Sequence, residues 1–208
     1  MNFLSDFLFT KTVSFDVGVK HCSFAELQYE NHTNTFSIKK WTIIQLRGKN
    51  ISDYTNDMIS KLREYDWGLV DYVLIEQQLN RNTQMKVLSH VIQSFFLCER
   101  RTRSERIKFV SPKLKFSTSN QVHNEIVQKC KDEMKLDPLN HGGSYTLKKL
   151  SIRIVNEILS KSPTESYWLK YFNSCKKNDD LADCLLQCLA WHMDVKTNGT
   201  PMEIDCDI

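Results

Sequence analysis

The order in which the hydrophobic period changes along this chain restricts its fold more than any other feature. Residues 11–17, 23–29 and 35–46 read as successive strands, the last two parted by the polar run Glu30-Asn31-His32-Thr33-Asn34, which predicts an antiparallel meander. Ile51, Tyr54, Met58, Ile59 and Leu62 then recur at helical spacing and predict a helix over 50–65, and 71–75 is a short apolar run of the buried-strand kind. Residues 81–101 predict one long helix. Its apolar set, from Met85 and Val87 to Leu97 and Cys98, covers more than one stripe and needs partners on two sides. A last strand over 107–110 stops at Ser111-Pro112, because proline brings no N–H to a ladder.

Beyond that point the chain is polar to about residue 145, with a helix predicted over 121–135 and a break at His141-Gly142-Gly143. Helical spacing returns at Leu147, Leu150, Ile154 and Ile158, again over 167–172, and finally over 179–193. Such an order predicts an α/β fold, a five-stranded mixed sheet flanked by helices. We read one domain over 1–195, with an insertion at about 117–143 and a mobile tail over 196–208.

Composition supports one folded domain: 208 residues with 41% hydrophobic content can bury a substantial core. A net charge of +3 is too mild to announce a nucleic-acid binder, so any such surface must come from local clustering. The seven cysteines form an odd set without a Cys-x-x-Cys pair, which points to reduced thiols in an intracellular compartment. Cys175, Cys184, Cys188 and His192 form a conceivable zinc set, but Cys184 and Cys188 fall on the apolar side of a helix, where packing is the simpler reading. The apolar start, MNFLSDFLFT, holds Asp6, lacks a basic leader and runs into a strand, so neither a secretory signal nor a membrane span is expected.

Four carboxylates stand out. Asp16 interrupts the apolar run Val13-Ser14-Phe15-Asp16-Val17-Gly18, where an unpaired charge is expensive to bury. It reads either as a cation ligand or as a strand-end acceptor of backbone hydrogen bonds near Gly18. Glu76 ends the run Tyr72-Val73-Leu74-Ile75, at the kind of strand end where α/β sheets gather their sites, or else it simply leaves the strand for solvent. Asp180 and Asp183 are one helical turn apart and share a face. The competing reading, acids complementing a helix dipole behind an Asn178 cap, suits Asp179 better than Asp183. Together, four carboxylates on two strands and a helix suit two hard divalent ions, with coordination left open for water and phosphate.

With Phe15-Asp16-Val17-Gly18, Ile75-Glu76-Gln77-Gln78 and Lys177-Asn178-Asp179-Asp180-Leu181-Ala182-Asp183 in this order, the chain resembles the RuvC-like Holliday junction resolvases, most of all their poxvirus and fungal mitochondrial branch. Val110-Ser111-Pro112-Lys113 with Lys115, and Tyr145 with Lys148 and Lys149, match further motifs of that branch, and the likeness spans residues 11–193. The resemblance implies the RNase H-like fold and a Mg²⁺-dependent endonuclease, with Mn²⁺ as a substitute, using two ions held by Asp16, Glu76, Asp180 and Asp183. It also implies a homodimer that binds a four-way DNA junction and makes paired symmetric cuts in recombination or in processing replication intermediates. The compartment would be the host cytoplasm or nucleus for a viral member and the mitochondrion for a fungal one.

Lys113, Lys115, Lys148, Lys149, Lys176 and Lys177 flank the acidic motifs and are candidate DNA contacts, and Arg100, Arg101, Arg103, Arg106 and Lys108 form a further dense run. For any one of these lysines an ordinary solvated face is the competing reading. The broad apolar surface of the 81–101 helix, with Val91 and Phe95 expected to face outward, needs cover that later helices or a second copy could supply, and the resemblance implies a two-fold partner. Two other readings stay open: another nuclease of this fold acting on RNA–DNA hybrids or branched DNA, and a non-catalytic DNA-binding module that keeps the fold.

Overall fold

Side chains that alternate in a two-residue period build three long strands at the start of the chain. These strands, β1 (Phe9–Asp16), β2 (His21–Glu30) and β3 (Phe36–Gln45), pair as an antiparallel meander. The computed structural model describes residues 8–198 except 34, 80, 117–120 and 137–143. After helix α1 (Ile51–Arg63), strand β4 (Tyr72–Glu76) joins the free edge of β1 in parallel, and after α2 (Thr83–Cys98), strand β5 (Ile107–Val110) lies parallel to β4. The order across the sheet is β3-β2-β1-β4-β5. This is the predicted five-stranded mixed sheet flanked by helices, the RNase H-like fold.

One face of the sheet is covered by α1 and α2. Val13, Phe15, Phe24 and Ile75 point into this layer and meet Trp67, Leu88 and Phe96, all fully buried. Only part of the broad apolar surface of α2 is used there. Leu88, Ile92, Phe95 and Phe96 are buried while Val87 is 44% exposed. Phe95, expected to face outward, is therefore a core residue, because α1 packs along the flank of α2 and covers it.

The other face carries α3 (Gln121–Glu133), α4 (Ser144–Ser160), α5 (Ser166–Ser174) and α6 (Asn178–Asn198). From Leu181 to Trp191, α6 is apolar nearly all round, which suits a helix enclosed on every side; it lies against the sheet and α4 packs against it, so Leu181, Ala182, Leu185, Leu186 and Leu189 are all buried. Cys184 and Cys188 are fully buried in this layer, and burial pushes both thiols well above their ordinary range, so they act as packing residues.

Within the stretch expected as an insertion, α3 buries His123, Val127 and Cys130 and so joins this core; 117–120 and 137–143 lie outside the described residues. Likewise α6 runs to Asn198, past the start of the expected tail, and 199–208 lie outside the described residues. Among the described residues no helix is long and apolar enough to cross a membrane.

Candidate active site

Two neighbouring parallel strands bring the first pair of acids together. Because Phe15 lies opposite Ile75 in the β1–β4 register, Asp16 and Glu76 end their strands side by side. Both share the strand face of Ser14 and Leu74, the face that α6 covers. The chain can turn directly after Asp16 because Gly18 has no side chain: a Cβ there would meet the His21 carbonyl oxygen at 2.3 Å. That close approach is the physical reason for the glycine in Asp16-Val17-Gly18.

Helix α6 supplies the other acids, and its position is pinned by hydrogen bonds to the meander. Ser23 Oγ donates to the Asp180 carbonyl at 2.6 Å, and Trp41 Nε1 donates to the Leu181 carbonyl at 3.0 Å. Further along, the buried Gln187 amide donates to Ser14 Oγ at 2.8 Å and more weakly to the Phe15 carbonyl at 3.4 Å. These bonds lie on either side of Asp183 in the helix and hold it over the strand ends; Ser151 on α4 donates to its Oδ1 at 2.8 Å.

Into the gap between strands and helix comes a lysine. The turn of 3₁₀ helix after β5, Pro112–Phe116, folds Lys115 inward until it is only 6% exposed. Its ammonium pairs with Asp183 Oδ2 at 2.9 Å and with Glu76 Oε1 at 3.0 Å. His123 Nε2 donates to the Lys115 carbonyl at 2.9 Å and secures the turn, while burial lowers the imidazole pKa and keeps it neutral. From its place beside the acidic motifs, Lys115 is expected as a DNA contact, with an ordinary solvated face as the competing reading. The structure instead sets it inside the acid cluster, because the strand-stopping proline turns the following chain back over the sheet end.

Charge crowding follows. Burial, reinforced by the neighbouring Glu76 and Asp183, raises the Asp16 carboxyl well above its ordinary range, and a side-chain hydrogen bond with Glu76 adds to the rise. Lys115 shows the converse: burial pulls its pKa down, but Asp183, Glu76 and Asp16 outweigh that, and it stays firmly protonated. Asp180 stands slightly apart. It lines a cleft of about 230 Å³ with Asp16, Gly18, Lys20, His21 and Met85, and burial followed by the charge of Asp179 raises its carboxyl.

Among the described residues no three Asp, Glu, His or Cys side chains converge into a ready-made metal-ligand group. The ammonium of Lys115 bridges two of the carboxylates that such a group would use. The donor set nevertheless fits a hard divalent cation: it offers carboxylate oxygens, and the three acids Asp16, Glu76 and Asp183 outnumber the one ammonium set among them. Sequence reasoning missed Ser23, Trp41, His123, Ser151 and Gln187, which position the acids. Ser151, a polar residue within the apolar stripe of α4, and Gln187, a polar residue within the apolar run of α6, left a trace in the pattern.

The remaining basic candidates surround this cluster on exposed positions. Lys113, Lys176 and Lys177 are exposed. Lys148 is engaged by Asp179, and Lys149 lies over the exposed Tyr145 ring, 4.4 Å from its centroid. Lys113, Lys148, Lys176 and Lys177 thus form an exposed cationic rim beside the elements that carry the acids.

No family model matches the sequence, and no curated protein matches it. Solved structures do. The fowlpox virus Holliday junction resolvase aligns over 90% of this chain and 99% of its own length, at 18% identity and a TM-score of 0.55. The complex of fowlpox virus resolvase with Holliday junction DNA covers 90% of this chain and 96% of its own, at 20% identity and a TM-score of 0.53. RuvC of T. thermophilus in complex with a Holliday junction substrate aligns over 91% of this chain and 97% of its own, at 10% identity and a TM-score of 0.50. The chain therefore shares the fold of these proteins across nearly all of its length.

Proposed function

We propose that the chain is a divalent-metal-dependent endonuclease that resolves four-way DNA junctions as a homodimer, each subunit cutting one strand. One observation carries this reading: Glu76 and Asp183 pair with the buried Lys115, with Asp16 beside Glu76 at the ends of the neighbouring strands β1 and β4, within a fold shared with solved junction resolvases. Asp16, Glu76 and Asp183, with Asp180 beside them, would hold Mg²⁺ or Mn²⁺, in two ions where all four acids take part. A bound divalent ion supplies Lewis-acid polarisation of a phosphoryl oxygen and an acidified water. Lys115 keeps the acids together, and the exposed Lys113, Lys149, Lys176 and Lys177 supply phosphate contacts that orient the strand.

The dimer reading rests on α2. Ile59, Val87, His90, Val91, Phe95 and Cys98 line a mainly apolar groove of about 560 Å³ between α1 and α2, and a two-fold partner presenting the same groove would cover it. The test compares cleavage of a four-way junction, a linear duplex and an RNA–DNA hybrid in Mg²⁺ and in chelator. The junction should be cut at paired positions only with metal and the other substrates left largely intact. Preference for the hybrid, or full activity in chelator, would overturn the proposal.

A further inference from the structure

The arginine run after α2 plays no part in the site described above. α2 ends at Cys98, and the Thr102 N–H donates to the Phe96 carbonyl at 2.9 Å, so the chain doubles back over the helix end. Arg101 makes this reversal at a φ of +52°, in the left-handed region. Glycine suits such a position; a residue with a Cβ costs about 1 kcal/mol there. The turn thus carries an arginine at a cost in stability.

Beside the turn is a concavity of about 180 Å³ lined by Trp67, Val70, Arg100, Arg101, Arg103 and Arg106. The nearby carboxylates leave much of this charge uncompensated. Glu99 is engaged by Arg63, Nε to Oε2 at 2.9 Å; Glu105 reaches Arg103 only at 3.9 Å; and Asp71 pairs with Arg106 at 3.2 Å. Among the described residues Arg100 and Arg101 make no ion pair. Guanidinium groups present planar donor forks that match phosphate oxygens. The concavity is smaller than the roughly 300 Å³ lower bound for small-molecule pockets, which suits a phosphate group and not a metabolite.

Its position separates it from the cut. The lining arginines lie at the start of β5 and the end of α2, near Asp71 at the entry to β4, whereas Glu76 ends β4. At about 3.3 Å per residue, that strand puts roughly 15 Å between them, about four to five base pairs of duplex rise. We propose that this concavity is a second phosphate-binding site, which grips the backbone of a duplex arm away from the scissile bond. The proposal rests on the junction reading and names a phosphate grip that the acid cluster and its lysine rim do not include.

The test uses the full chain carrying Arg101→Gly and Arg103→Gln, with junction affinity measured in chelator across a salt series. Arg101→Gly relieves the left-handed strain, so the melting temperature should hold or rise, which separates a weakened grip on DNA from a damaged fold. Affinity should fall roughly tenfold and the slope of log K against log salt should flatten by about 1.8, or about 0.9 for each phosphate no longer neutralised. The cutting rate at saturating junction should stay unchanged. If the variant binds with unchanged affinity and slope while the unsubstituted protein cuts junctions, the second site is overturned and the functional reading stands. If the unsubstituted protein binds no DNA at all, both fall.

Discussion

Lys115 decides the charge balance of the acid cluster. Its ammonium touches Glu76 and Asp183, and its removal leaves buried carboxylates facing one another with no cation between them. Lys115→Ala should therefore destabilise the metal-free protein by about 3 kcal/mol at neutral pH. Mg²⁺ should restore more stability to the variant than to the unsubstituted chain, because the ion then takes over the missing compensation. Thermal melts with and without Mg²⁺ check this, and equal metal-induced shifts in the two proteins would refute it. Asp16 and Glu76 can be found from the chain alone because a carboxylate at the end of an apolar strand run is costly unless something pairs with it. Lys115 cannot: beside Lys113 it is one more basic residue, and only the reversal of the chain after Pro112 decides which of the two is buried.

α6 shows how an element can be recognised while its setting stays hidden. Its period and its two acids are evident from the chain, but the bonds that aim it join residues far apart in sequence, as in Ser23 with Asp180 and Ser14 with Gln187. Gln187→Ala removes both bonds to β1 and leaves a small void, so unfolding free energy should drop by about 2 kcal/mol. Urea unfolding should show a lower midpoint at unchanged slope. An unaltered midpoint would mean that the helix is held by apolar packing alone. The 81–101 helix presents the opposite case. Its broad apolar surface is plain in the chain, but which residues α1 covers depends on packing, and so Phe95, expected outside, is inside.

The mixed sheet of the molecule follows from periodicity, since three strands before the first helix predict a meander and the later alternation of helix and strand an α/β plan, but the placing of β4 beside β1 comes from packing. What periodicity cannot supply is the surface: the groove along α2 and the arginine concavity arise only once the helices are packed. Sedimentation at micromolar concentration should report about twice the 24.4 kDa chain mass. Val87→Glu, at a groove position open to solvent, should shift the protein to monomer without unfolding it; a chain that is monomeric from the start yet makes paired cuts would refute the dimer. The most direct test of the central claim is denaturing-gel cleavage of an end-labelled four-way junction in Mg²⁺ by the unsubstituted protein and by Asp16→Asn, Glu76→Gln, Asp180→Asn and Asp183→Asn. The carboxylate site predicts paired nicks from the first and at least a roughly hundredfold loss of cutting in each variant, with junction binding kept; near-normal Mg²⁺-dependent cutting by any two of the variants would contradict it.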